Sequence, residues 1–283
     1  VRLPQVRYTQ PLAPWGIPGA LSASIEVPET DFWKPATGLT NSDSAAGFPT
    51  KNSAPDLTAA WYIPQPWGHL DYAAVVRPSM QYKDGNAVDK TFTGFGFAMG
   101  GDVKPQWFGW DRDYIVFRAV GGWGIGRYVN SSASIATVTN FPNATTPVTP
   151  AQAALVTVKP VTTFGGDVGY QHRWSPTLRS NISGGFWHQD VPTSLFAISA
   201  TGTNTGVSAV CSNVPAGAAG TPAQNGVGGC AINKEIITGH LNLIWNPVSF
   251  LDIGIEYIYG HRMTVSNLKG DEHALVSRFQ INF

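Results

Sequence analysis

Charge is the first thing this sequence is short of. Lysine, arginine, aspartate and glutamate make up 13% of 283 residues, about half of the roughly 25% usual in globular proteins. The 18 basic and 18 acidic residues cancel to a formal net charge of +0, which argues against a nucleic-acid partner, since such proteins carry a basic excess. Long apolar runs are also missing. No stretch approaches the ~18 residues of a membrane helix, and mean hydropathy is only -0.06. A chain without such a run can still sit in lipid as a β-barrel, whose backbone groups are paired between strands. Cysteine is limited to Cys211 and Cys230, too few ligands for a structural zinc site. In an oxidising compartment the two are expected to form one disulfide, worth roughly 3 kcal/mol for a loop of about 20 residues. Motifs for a hydrolase nucleophile, a zinc protease or a phosphate loop do not occur. No catalytic residue, metal site or cofactor is therefore expected, and no signal peptide is visible.

What the chain does have is period-two alternation. Leu251, Ile253, Ile255, Tyr257 and Tyr259 alternate with Asp252, Gly254, Glu256 and Gly260. Phe279, Ile281 and Phe283 alternate with Arg278, Gln280 and Asn282. Side chains in a strand point to opposite faces with period two, so each strand has one apolar and one polar face. Trp245, Tyr257, Tyr259, Phe279 and Phe283 all fall on the apolar face, mostly near strand ends. Aromatic girdles of this kind mark a barrel in a bilayer. A chain ending on Phe283 also resembles the terminal signal of bacterial outer-membrane barrels.

The same reading gives about eleven strands along the chain. Short turns near Pro14–Gly19, Pro64–Gly68, Ser175–Thr177 and Pro247 alternate with long loops near 28–54, 129–152 and 193–233. Outer-membrane barrels have short periplasmic turns and long extracellular loops. The expected fold is an all-β, transmembrane antiparallel β-barrel forming a single domain over 1–283, in contact with outer-membrane lipid and lipopolysaccharide. Bacterial barrels have even strand counts with both termini periplasmic. An odd count therefore implies that the barrel's first strands precede Val1.

Alternation assigns Arg7, Arg77, Arg118 and Arg278 to the lumen at similar depth. Glu26, Asp71, Asp167, Asp252, Glu256 and Gln280 are assigned to the same face, with Glu256 placed to pair with Arg278. Two readings follow. In one, the acids neutralise the arginines and leave a polar lumen; in the other, the arginines form a basic wall that attracts anions in a narrow channel. The loop 28–54 is one candidate to narrow the pore. A plugged structural or adhesive barrel is an alternative. An outer-membrane hydrolase built around His188 and His240 is another.

Several stretches carry a resemblance: LPQVRYTQPL from Leu3, GIGRYVN from Gly124, GYQHRWSPTLRSN from Gly169, LNLIWNP from Leu241 and IEYIYGHR from Ile255. They resemble the DcaP-like family of Gram-negative outer-membrane porins. The resemblance implies a homotrimer of barrels with about sixteen strands each, taking up small anionic solutes such as dicarboxylates. It also implies an N-terminal helical segment and early strands not present in this sequence. The disulfide is not carried over from the family.

Overall fold

The computed structural model describes residues 4–28, 32–33, 52–84, 88–109, 112–130, 136–139, 151, 154, 157–191, 233–264, 267 and 269–281. In chain order the strands are β1 (Gln5–Pro11), β2 (Ala20–Glu26), β3 (Phe32–Trp33), β4 (Asp56–Gln65), β5 (Gly68–Asp84), β6 (Val88–Val103) and β7 (Tyr114–Trp123). A four-residue helix α1 (Gly126–Val129) follows, then β8 (Ala136–Thr139), β9 (Thr157–Pro160), β10 (Thr162–Ser175) and β11 (Leu178–Asp190). The chain ends in β12 (Asn233–Val248), β13 (Leu251–Thr264) and β14 (Lys269–Ile281).

Eleven of these strands form one antiparallel meander, in the order β1-β2-β4-β5-β6-β7-β10-β11-β12-β13-β14. Each strand of this sheet pairs with the next strand of the sheet in chain order, whether a short turn or a long segment joins them. Among the described residues β1 and β14 are the two edges, so the eleven strands make an open wall. β3, β8 and β9 form a separate three-stranded sheet in segments that alternation leaves as loop. Among the described residues no helix is long and apolar enough to cross a membrane.

The turns explain the register. Two residues join β4 to β5, β10 to β11 and β12 to β13, and Pro66, Pro176 and the Ser249-Phe250 pair sit there. The long segments after β2, β7 and β11 leave the opposite ends, whereas the eight-residue β1–β2 and ten-residue β6–β7 connections stay at the short-turn end and three residues join β5 to β6 at the other. The wall therefore has a short-turn end and a long-loop end, the periplasmic and extracellular ends of a barrel.

Alternation sets the two faces. Val6, Ile25, Leu57, Val76 and Phe95 lie in one register row, and all are exposed. Trp61, Leu243, Trp245, Ile255, Tyr257 and Phe279 share that outer face and are also exposed. A surface this apolar is a lipid-facing wall. The opposite, inner face carries Glu26, Asp56, Arg77 and the helix α1.

Alternation fails at one strand. It assigns Tyr82 to the outer face and Ser79 and Gln81 to the inner one. The register slips between Arg77 and Met80, so an extra residue is accommodated there as a β-bulge. Pro78 is the cause, because proline has no N–H to give the ladder. Beyond the bulge every side chain changes face. Met80 and Tyr82 become buried, at 0% and 2% exposure, on the inner side with Arg77.

Candidate functional site: the inner wall and its inward segment

Read from the sequence, the strand that starts at Tyr114 runs on through GGWGIGRY. It stops instead at Trp123, and the chain turns inward through Gly124, whose φ of 68° lies in the left-handed region that favours glycine. Ile125 follows with no exposure at all. Its seat is made by glycine. A Cβ on Gly96 would meet Ile125 Cδ1 at 2.6 Å, and one on Gly122 would meet the Phe95 carbonyl oxygen at 2.1 Å. Met80 fills the space beside Gly94 and Gly124. The return to the wall is fixed by the Gly124 N–H, which donates to the Val161 carbonyl at 2.9 Å.

Tyr128, on α1, ties the segment to the wall. Its Oη lies 3.0 Å from Asp56 Oδ2 and 3.1 Å from Glu26 Oε2, and its one proton is shared between them. Arg77 Nε donates to Asp56 Oδ2 at 2.9 Å, and its Nη1 donates to the Gly124 carbonyl at 2.8 Å. The guanidinium carbon sits 5.9 Å from the Tyr128 ring centroid. Glu26 Oε1 also accepts from Ser24 at 3.0 Å and from Thr58 at 3.1 Å. Arg77 and Asp56 are 1% exposed. A buried pair of this kind is retained only where further hydrogen bonds satisfy it, and here Tyr128 and the Gly124 carbonyl supply them.

The four arginines expected at one depth lie on different register rows. Arg7 is opposite Ser24, in the row of Thr58, Val75 and Gly96. Arg77 is one row nearer the long loops and sealed under α1, so it does not face open water. Arg118 lies toward the short-turn end, where its Nη2 is 3.1 Å from Asp167 Oδ1 with both side chains at least half exposed. Arg278 is opposite Gly254, in the row of Ile244, Arg179 and Arg173. The physical reason is that midway along a strand is not a common row when strands differ in length and the bulge shifts one of them.

The predicted pairing of Glu256 with Arg278 is not made. Glu256 is opposite Val276, two positions away, and its Oε1 is 3.1 Å from His240 Nδ1. Asp252 pairs with Arg179 at 3.6 Å and accepts from Asn246. Gln280 is opposite Asp252 on the inner face. Arg278 and Arg7 make no ion pair among the described residues. The row of Arg173, Arg179 and Arg278 is the part of the site that sequence reading missed. All three were legible as inward, but only the register puts them in one row, Arg173 beside Arg179 and Arg278 three strands further on. On the same inner face, beyond β7, the short-turn ends of β5 and β6 carry His69, Asp71 and Asp102, with His69 bonded to Asp102.

The hydrolase alternative loses its geometry. His188 is on the outer face, where its Nδ1 is 3.2 Å from Glu235 and its ring lies 5.1 Å from that of Phe164. His240 points inward. Among the described residues no group of His, Cys, Asp and Glu could hold a metal. Cys211, Cys230 and nearly all of the loop 28–54 lie outside the described residues.

A further cluster stands on the outer face at the short-turn end. Asp113 precedes β7 and is 2% exposed. Its Oδ2 accepts from Tyr170 Oη at 2.6 Å and lies 2.7 Å from His172 Nδ1, and its Oδ1 accepts from the Arg173 N–H at 3.1 Å. Burial opposes its ionisation, but these hydrogen bonds outweigh it and hold the carboxyl below its ordinary value. The cluster pins the Trp-rich connection to the wall beside Trp174.

An antiparallel wall with an apolar outside, a polar inside and sorted loop lengths is a β-barrel of the Gram-negative outer membrane. The family model of the DcaP outer membrane protein matches residues 223–282, which bears out the resemblance over β12 to β14. The crystal structure of the outer membrane channel DcaP of Acinetobacter baumannii matches with a TM-score of 0.64 at 21% identity, covering 100% of this chain and 63% of that one. The chain thus spans less than two thirds of that channel. An outer membrane protein of Vibrio cholerae, OmpT, matches with a TM-score of 0.42 at 10% identity, over 98% of this chain and 62% of its own. An anion-selective porin from Comamonas acidovorans gives 0.42 at 7%, over 98% and 57%. No curated protein matches.

Proposed function

We propose that the protein is a passive diffusion channel for small hydrophilic solutes, with a preference for small anions such as dicarboxylates. The observation that carries this reading is the inner row of Arg173, Arg179 and Arg278, flanked by two acids, Asp252 paired with Arg179 and Glu256 beside His240. Arginine stays charged at any relevant pH and binds carboxylates bidentately. In a narrow channel with low-dielectric walls, such a row raises the local concentration of anions. The acids at the short-turn ends of β5 and β6, on the far side of β7 from Arg173, put the opposite sign on the same inner face, which orients a charged solute as it passes. The family match and the likeness to a channel support the same reading. α1 narrows the lumen from the long-loop end without carrying any catalytic group, and a homotrimer is the assembly the resemblance implies.

Reversal potential across a salt gradient in planar bilayers tests this. The expected result is anion selectivity in the unaltered protein that falls in Arg173→Ala with Arg278→Ala, and that weakens in 1 M salt, where screening shortens to about 3 Å. Cation selectivity in the unaltered protein overturns the anion preference. A folded protein that gives no current favours the plugged barrel.

A further inference from the structure

A pocket of about 200 Å³ opens on the inner wall between α1 and β1 to β6. Its floor is Ala60, Ala73 and Ala98, consecutive partners across β4, β5 and β6. Val120 continues that row on β7, and Ile125 closes the side. Arg7 stands at its rim, one row up, exposed and with no ion pair among the described residues. Among the described lining residues it is the one cation, and Glu26 is the one acid.

We infer that this pocket is a subsite for monocarboxylates with a short apolar body, the carboxylate held by Arg7 and the hydrocarbon laid on the alanine floor. The inference rests on the channel reading and refines it. Three alanines in a row on the water-facing side of a barrel wall are unusual in offering a smooth apolar surface where polar side chains are the rule. At about 200 Å³ the pocket is below the roughly 300–1,000 Å³ of drug-sized sites, so it admits only a few carbon atoms. Glu26 is already satisfied by Ser24, Thr58 and Tyr128, and its charge repels a second carboxylate. A dianion therefore gains less here than a monoanion of the same length, although the arginine row at the other end favours it.

The test is binding of butyrate, acetate and succinate to the full chain folded in detergent, followed by saturation-transfer NMR, with bilayer conductance recorded on the same preparation. Butyrate should bind about tenfold tighter than acetate, from its two extra methylenes, and tighter than succinate. Ala98→Leu, which fills the floor, should abolish the advantage over acetate. Ala73→Leu serves the same purpose if the first variant does not fold. Arg7→Gln should weaken butyrate at least fivefold. Equal affinity for acetate and butyrate, or an advantage that survives both floor variants, overturns the subsite. Conductance without butyrate binding sinks this inference and leaves the channel. Butyrate binding without conductance does the reverse.

Discussion

The half of the wall from β1 to β7 and the half from β10 to β14 share one outer face and differ on the inner one. Outside, both are exposed and apolar, from Val6 and Leu57 to Leu243 and Phe279. Inside, the first half has Gly94, Gly96 and Gly122 beneath Ile125 and Met80, and a buried arginine beneath Tyr128. The second half has inner glycines too: Gly165 lies close against the buried Trp187, whereas Gly254 and Gly260 on β13 meet only loose strand neighbours. A Cβ on Gly260 would meet only Glu272 Cβ, at 3.8 Å. The difference teaches that glycine alone does not draw the chain inward. Glycine makes room, and a hydrogen-bonded anchor such as Tyr128 is needed to keep the segment there.

The comparison can be broken most sharply at its anchor. Asp56→Ala removes the carboxylate that faces the buried Arg77 guanidinium and should cost about 3–5 kcal/mol. Arg179, partly exposed in its pair with Asp252, should tolerate Asp252→Ala with at most ~1 kcal/mol lost. Urea unfolding in detergent measures both. If the two cost the same, the first half is not the locked one. Tyr128→Phe keeps the Arg77–Asp56 pair but frees α1, and single-channel conductance should rise.

The shared outer wall makes the next prediction. Leu57→Arg and Leu243→Arg should each cost about 2–4 kcal/mol if near the bilayer midplane, one in each half, while Gln280→Arg on the inner face should be tolerated. Refolding into lipid vesicles at graded urea reads the difference. Equal tolerance at all three positions would show that the apolar face does not meet lipid.

Glycine separates the halves again by a smaller amount. Gly122→Ala should cost about 1–3 kcal/mol from overpacking, because the Phe95 carbonyl oxygen leaves no room. Gly260→Ala should stay within ~0.5 kcal/mol. Thermal melting of the two variants side by side is sufficient.

The smallest effect concerns pH at the joint between the halves. The carboxyl of Asp113 titrates below its ordinary 3.8 when folded. A depressed value means that its stabilisation is complete at neutral pH and is lost as pH falls below 3.8 through the folded value. Asp113→Asn should remove roughly 1 kcal/mol at pH 7 and flatten the acid end of the stability profile. A variant whose acid limb is as steep as that of the unaltered protein would show that other carboxylates carry it.

Much of this was legible in the sequence. Strand ends fell close to their observed places because hydrophobic alternation and turn residues act locally, and the lipid-facing set around Ile253 and Phe279 followed from the same period. The misreadings have physical causes. Tyr82 was placed outside because the bulge at Pro78 inverts every later position in β5, and one residue of slip leaves no mark on the alternation itself. The continuation of β7 past Trp123 was expected because GGWGIG can serve a strand or a turn equally well. The lumenal arginines were assigned to the right face but not to the right rows.

The sequence by itself determined that this is a membrane β-barrel wall with an apolar outside, because side-chain direction in a strand depends only on period two. It also determined where the two-residue turns and the longest loops fall, since turn length is a local property. Only the tertiary structure decided which charges meet. Whether Arg77 is free or buried depends on Asp56, 21 residues away in the chain, and on the Gly124 carbonyl, 47 residues away. Likewise, Arg173, Arg179 and Arg278 become one row only when the registers of five strands are fixed together. Those are contacts between distant segments, and no local pattern encodes them.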